Sequence, residues 1–182
     1  MAAEKKTRSP SGLQARKSQT TRNAILKATL QCFIKYGYHN TTDLKISELS
    51  GLSRGAMRHH YPSRKEIIRD AIDYLHERRL NAFKVSLTDL DLHLNDRIRF
   101  AIDSYDELNK KPMFLAFSEL SIAARRDPEL AKVLHGKQKS FEREYMRVGI
   151  EMFPEWQEKP QGYDVVMHLT RYILEGLSLI HI

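Results

Sequence analysis

The chain has 182 residues, 41% of them hydrophobic and 29% charged, with a formal net charge of +7 at pH 7. This composition is typical of a globular protein, and the apolar runs are too short to span a bilayer, so we expect a cytoplasmic protein without membrane contact. A single cysteine excludes an internal disulfide, and no zinc-site spacing, phosphate-binding loop or nucleophile motif occurs, so we expect no metal, no cofactor and no enzymatic activity.

The positive charge is concentrated in the first third of the chain. Residues 1–66 contain 13 lysines and arginines against 4 acidic residues, a net charge of +9, whereas residues 67–182 have a net charge of −2. Such an asymmetry is typical of a polyanion-binding segment attached to a neutral body. Clustered solubility charge is the alternative, and composition does not separate the two.

The first predicted elements are a flexible basic tail over residues 1–17 and a helix over residues 18–36. Apolar residues recur on one face of this helix with helical spacing, and Cys32 lies on that face, which predicts a buried and unreactive thiol. Gly37 follows at the position where a helix C-terminal glycine belongs.

Two short helices come next, and their connection has the proportions of a helix-turn-helix. Residues 39–42 offer N-cap side chains for the first of them, and Gly51 ends it. The turn Gly51-Leu52-Ser53 leads into the second, over residues 54–60, which presents arginines and histidines outward. These donor-rich side chains suit base edges and phosphates in a major groove.

The rest of the chain also has helical periodicity, so the predicted fold class is all-α. Ser63 and Glu66 form a capping box at the start of a fourth helix. The further helices are predicted over about residues 92–109, 112–126, 127–153 and 163–182, with a loop over 154–162.

Three runs of the N-terminal third resemble the signature of the TetR (tetracycline repressor) family: residues 25–33 (ILKATLQCF), 46–57 (ISELSGLSRGAM) and 60–64 (HYPSR). The resemblance covers about residues 20–72. It implies a three-helix helix-turn-helix head over 18–66, and a helical ligand-binding and dimerisation body over 67–182. The implied function is a sequence-specific transcriptional repressor, a homodimer on a near-palindromic operator in double-stranded DNA, released by an apolar or amphipathic small-molecule effector.

The resemblance, together with the outward side of the second short helix, predicts a set of DNA-binding positions. They are Thr42, Arg54, Gly55, Ala56, Arg58, His59, His60 and Arg64. Thr42 matches a phosphate contact at a helix N-terminus, and Arg64 matches a basic phosphate anchor. Arg58 stands where the family usually has Tyr, so it either reads a guanine or adds a phosphate contact. Ser47 stands in place of the usual Ala. The adjacent His59 and His60 point to different sides of a helix, so we expect no metal there.

The predicted effector site lies in the body, where residues 92–152 are rich in methionine and aromatic side chains. The candidate ligand-binding residues are Phe100, Tyr105, Met113, Phe117 and Tyr145. A solid core uses the same residue types, so the cavity itself is implied by the resemblance.

The last helix carries an apolar face that packs either inward or against a second copy, and the resemblance favours a dimer interface. Its candidate interface residues are Val166, Leu169, Ile173 and Leu177. Two further alternatives stay open. The basic tail either enters a minor groove or binds nothing, and an all-α protein-interaction module without a DNA role would share the helical pattern.

Overall fold

The computed structural model describes residues 12–86 and 93–180, and the regular elements within these ranges are helical. In chain order they are α1 Gly12–Tyr36, α2 Asp43–Ser50, α3 Arg54–His60, α4 Arg64–Ser86, α5 Leu94–Asn109, α6 Pro112–Ala124, α7 Pro128–Met152 and α8 Pro160–Ile180, with a 3-10 turn at Pro154–Trp156. The predicted all-α class is confirmed. Among the described helices, none is long and apolar enough to cross a membrane.

Two helix starts differ from the prediction. Helix α1 begins at Gly12 rather than at Ser18, so the assignment of residues 12–17 to a flexible tail is wrong. Its segment LQARK consists of good helix formers, and nothing in it stops a helix from extending toward the N-terminus. The remainder of the predicted tail, residues 1–11, lies outside the described residues. Helix α8 begins at Pro160, inside the predicted loop, because proline is tolerated in a first helical turn.

Local capping interactions fix the beginnings of α4 and α7. The Ser63 hydroxyl accepts the Glu66 N–H at 3.3 Å, and the Glu66 carboxylate accepts the Ser63 N–H at 3.4 Å, which completes the predicted capping box. At α7, the Asp127 carboxylate accepts the Leu130 N–H at 3.0 Å, and Pro128 occupies the first turn.

One continuous core joins the N-terminal helices to the body. Helix α1 packs against α2, α4 and α6, and α4 packs against α7. The core residues include Ile25, Phe33, Ile46, Met57, Ile67, Leu75, Phe114 and Leu120. Cys32 lies in this core with 0% exposure, and burial raises the pKa of its thiol to about 11. A second core lies farther along the body, among Phe83, Tyr105, Phe141 and Tyr145.

Candidate nucleic-acid interface and ligand cavity

The turn between α2 and α3 is held by backbone and hydroxyl hydrogen bonds. Gly51 adopts a left-handed conformation with φ of 70°, and its N–H donates to the last carbonyls of α2. The Leu52 N–H donates to the Ser47 carbonyl at 3.2 Å, and the Ser47 hydroxyl donates back to the Leu52 carbonyl at 2.5 Å. The serine that stands in place of the usual alanine therefore ties the end of α2 to the turn.

The two short helices each begin at a capping hydroxyl. Thr42 caps α2 and accepts the Lys45 N–H at 3.3 Å, while Ser53 caps α3 and accepts the Ala56 N–H at 3.1 Å. Met57 faces inward from α3 with 0% exposure and anchors the helix on the core. The opposite side of α3 is exposed at Arg54, Gly55, Ala56, Arg58 and His59. These five predicted site residues therefore share one accessible surface, which we call the α3 surface.

Gly55 is an exposed glycine within the first turn of α3. A Cβ atom added there would meet only the Ser53 hydroxyl, at 4.0 Å. Glycine in a helix destabilises it by about 0.5–1 kcal/mol relative to alanine, so the internal packing of the chain gives no reason for a glycine at this position. Its missing side chain leaves the α3 backbone open to close approach from outside.

Arg58 reaches from α3 toward the beginning of α2. Its guanidinium lies 3.5 Å from the Asp43 carboxylate, and its side chain remains 61% exposed. Exposed ion pairs of this kind contribute only about 0.2–1 kcal/mol, so a phosphate or a guanine can replace Asp43 at little cost. Asp43 directly follows Thr42, so the arginine lies beside the N-terminus of α2.

Two of the predicted DNA-binding residues, Arg64 and His60, have side chains that contact other parts of the chain or are partly buried. The Arg64 guanidinium donates to the Tyr38 carbonyl at 3.0 Å and lies 5.4 Å from the centre of the Tyr38 ring. His60 is half-buried, and burial, followed by the nearby His59 and Arg22, lowers its pKa below the usual range. Burial therefore disfavours the charged form of His60, next to the α3 surface.

Tyr38 connects the N-terminal helices to the body, a role that the sequence did not reveal. Its hydroxyl donates to the Asp127 carboxylate at 3.1 Å, and its N–H donates to Glu119 at 2.8 Å. Nearby, Lys65 pairs with Glu129 at 2.7 Å. We name the contacts of Tyr38 with Asp127 and Glu119 the Tyr38 link. Its partners are 81 and 89 residues away along the chain, so no local pattern marks it.

The body contains a mostly apolar cavity of about 100 Å³ between α4, α5, α7 and α8, which we call the apolar cavity. Its lining includes Phe83, Ile102, Tyr105, Tyr145, Trp156 and Thr170. The predicted range of 92–152 was too narrow, because Phe83 comes from α4 and Thr170 from α8. Both residues occupy apolar helix faces, which by sequence alone do not differ from core or interface positions.

The structure separates the five residues predicted to bind a ligand. Tyr105 and Tyr145 lie together at the apolar cavity, with ring centres 5.6 Å apart. Met113 lines a separate, smaller cavity, which Tyr105 also lines. Phe100 is 37% exposed on α5 and does not line the apolar cavity. Phe117 does not line it either, and its ring lies 3.9 Å from the Arg79 guanidinium in the core. Helical spacing alone does not distinguish a cavity wall from a core position.

Helix α8 has a wide exposed apolar face, which we call the α8 face. The four residues predicted for a dimer interface are all on it: Val166, Leu169, Ile173 and Leu177 are 45%, 55%, 57% and 46% exposed. Val166 also borders the apolar cavity, so the face and the cavity are neighbours. Exposed apolar area of this extent is typical of a surface that another protein chain covers.

Comparisons with known proteins agree with this arrangement. The family model described as bacterial regulatory proteins, tetR family, matches residues 25–71. The HTH-type transcriptional regulator TtgR of Pseudomonas putida is 30% identical over 125 residues, which cover 66% of this chain and 51% of TtgR. The HTH-type transcriptional regulator CymR, also of Pseudomonas putida, is 28% identical over 130 residues, covering 71% of this chain and 62% of CymR.

The chain thus spans about half the length of TtgR. The fold matches over more of the chain. A crystal structure of a TetR family transcription regulator from Marinobacter aquaeolei VT8 superposes with a TM-score of 0.67 at 16% identity, covering 91% of this chain and 85% of that one. The segment that the family model matches, residues 25–71, contains the capped helices α2 and α3 and the turn between them. The chain belongs to the TetR family of bacterial regulatory proteins.

Proposed function

We propose that the chain is a sequence-specific DNA-binding transcriptional regulator whose α3 surface enters the major groove. The observation that carries this proposal is an exposed recognition surface that combines arginine and histidine donors with Gly55. Arginine and histidine suit base edges and phosphates, and the glycine lets the α3 backbone come close to the DNA. The net charge of +9 over residues 1–66 supplies the attraction to a polyanion.

Helix α2 is proposed to lie on the phosphate backbone. Its first N–H groups and its helix dipole favour an anion at Thr42, and Arg58 lies close enough to contribute to the same contact. Arg64 uses only Nη2 in its hydrogen bond to the Tyr38 carbonyl, so its other N–H groups are available to a phosphate. Phosphate binding at Arg64 would therefore act next to the turn that also carries the Tyr38 link.

The active form is proposed to be a homodimer formed through the α8 face. Two heads related by a two-fold axis bind half-sites in successive major grooves, about 34–36 Å or a multiple apart, on a near-palindromic site. The proposed action is repression that ends when an effector enters the apolar cavity. An effector shifts this equilibrium only if it binds more tightly to a geometry in which the heads do not fit the half-sites.

Selection of bound fragments from fragmented bacterial genomic DNA tests the DNA-binding proposal. We expect the bound fragments to share a site with dyad symmetry, and footprints to cover two half-sites. Fragments without a common site, or no retention at physiological salt, would leave an all-α interaction module as the better description.

Gly55→Ala tests whether the glycine serves DNA approach. We expect this variant to raise the free energy of unfolding by about 0.5–1 kcal/mol, because alanine favours helix, while weakening binding to the selected site. Gly136→Ala is the matched control, since its added Cβ meets nothing within 4 Å and the residue lies on α7, away from the α3 surface. It should give a similar gain in stability without a loss of DNA affinity.

A further inference from the structure

Two arginines are buried inside the body. Arg79 on α4 and Arg171 on α8 are only 8% and 2% exposed. Arg79 pairs with Glu175 at 3.3 Å, and Arg171 pairs with Glu142 at 2.8 Å. The two glutamate side chains are more exposed than their partners, at 16% and 27%. A buried cation is tolerated only when its remaining N–H groups also find acceptors.

The surroundings of these arginines are rich in hydrogen-bond donors. Among the buried nitrogens without a partner in the described part of the chain are Nη1 of Arg79, Nε and Nη1 of Arg171, and Nδ2 of Asn109. The ring nitrogens of His76 and the side-chain oxygen of Gln138 are also unpartnered. The arginine and asparagine atoms are N–H donors, and burying such a donor without an acceptor is unfavourable. Burial lowers the pKa of Arg79 in spite of the nearby Tyr105 and Glu175. The hydrogen-bonding capacity of this cluster therefore suits an anionic acceptor.

Arg79 and Asn109 line a small cavity of about 20 Å³, which we call the donor cavity. This volume admits one oxygen-sized group. Phe83 and Tyr105 line both the donor cavity and the apolar cavity. These two rings therefore form the wall that the cavities share, and a molecule with one oxygen atom beside Arg79 reaches the apolar cavity by moving them apart.

We infer that the effector is an apolar carboxylic acid, with a carboxylate oxygen bound by Arg79 and Asn109 and the hydrocarbon part in the apolar cavity. A carboxylate accepts from both side chains, and its hydrogen bond with the guanidinium is about twice as strong as a neutral one. The regulatory meaning of this site rests on the proposed function. The binding itself does not, because both cavities lie within the body.

The protein provides its own optical probe for this binding. Its single tryptophan, Trp156, lines the apolar cavity, so ligand entry changes the fluorescence of one known residue. The compounds to test are benzoate, phenylacetate and the straight-chain carboxylates from butanoate to decanoate, each paired with its primary amide. We expect at least one carboxylate to bind about tenfold or more tightly than its amide, by both Trp156 fluorescence and thermal shift.

Asn109→Asp tests the position of the carboxylate. The substitution keeps the shape of the side chain but replaces a donor by an anion next to Arg79, so we expect carboxylate affinity to fall about tenfold or more. Asn95→Asp is the matched control, since it makes the same change at an exposed position on the same helix. It should leave carboxylate binding as in the parent chain, and thermal unfolding of both variants checks that they are folded.

The inference is overturned if no carboxylate in the series binds, if amides bind as tightly as their acids, or if both aspartate variants behave alike. Because these measurements contain no DNA, they fail separately from the proposed function. A chain that binds carboxylates but selects no DNA would contradict only the regulator proposal. A chain that selects DNA but binds no carboxylate would contradict only this inference.

Discussion

At the scale of single residues, Arg58 is the position where this chain departs from the usual family pattern with the greatest chemical consequence. Its ion pair with Asp43 is exposed and weak, so the guanidinium is available to DNA. We expect Arg58→Ala to weaken binding to the selected site by about 1–3 kcal/mol and to relax the preference at one base pair. Binding isotherms on the site and on its single-base variants measure both effects.

The comparison for this substitution is Arg64→Ala. Arg64 is predicted to contact a phosphate, so its loss should weaken specific and random DNA alike and reduce the salt dependence by about one contact. Equal losses on specific and random DNA for Arg58→Ala would make Arg58 a phosphate contact as well.

Tyr38 offers a second test at this scale, because its hydroxyl donates to the charged Asp127. We expect Tyr38→Phe to lower the free energy of unfolding by about 1 kcal/mol at pH 7. The hydrogen bond from the Leu130 N–H, together with that from Tyr38, holds the pKa of Asp127 below its ordinary 3.8. The stabilisation is therefore complete above pH 3.8 and is lost as the pH falls through the lower folded-state pKa.

The difference between Tyr38→Phe and the parent chain should accordingly shrink in acid. Urea unfolding at a series of pH values measures this trend. Tyr36→Phe, at the last residue of α1, is the control. A difference that stays constant down to pH 2 would show that the hydroxyl acts without the Asp127 charge.

At the scale of elements, the α2–α3 turn depends on the left-handed backbone of Gly51. Its added Cβ would meet nothing within 4 Å, so Gly51→Ala introduces no clash but places alanine at positive φ. We expect it to lower the free energy of unfolding by about 1–2 kcal/mol, whereas Gly136→Ala, in a helix and equally open, should raise it. Urea titrations of both variants give the comparison, and a loss of the same size for Gly136 would exclude backbone conformation as the cause.

The same elements show how far the sequence determines the structure. Capping is local, so Ser63 with Glu66 and Asp127 with Pro128 mark helix starts that the structure confirms. The predicted start of α1 lies too late in the chain, because a polar, basic composition does not exclude a helix. Side-chain pairs across the fold, such as Arg79 with Glu175, join residues 96 positions apart and leave no periodic trace.

At the scale of the whole molecule, the proposed dimer makes DNA binding depend on the α8 face. We expect Leu169→Glu to convert the proposed homodimer to a monomer, because a charge placed in an apolar contact is costly to bury. Affinity for the selected site should then fall, since one head gains nothing from the other half-site. Light scattering and DNA titration follow the two effects, with Ile122→Glu on α6 as an equally exposed control.

A parent chain that is monomeric at micromolar concentration would contradict the dimer prediction.

The location of the apolar cavity was the least predictable feature at this scale. Four helices contribute to its walls, and Phe117 and Tyr105 have the same aromatic character although only Tyr105 reaches the cavity. Which aromatic residues face a void depends on how the helices cross, and helix crossing is not encoded in the spacing of one helix.

The burial of Cys32 has a practical consequence for measuring the motion of the heads. A fully buried thiol with a pKa of about 11 is protonated and shielded at neutral pH, so we expect the native chain to resist maleimide. A cysteine introduced at exposed Gln19 on α1 would then accept a spin label selectively, once in each protomer of a dimer. The label-to-label distance would report directly on how far the two heads move when an effector or operator DNA is added.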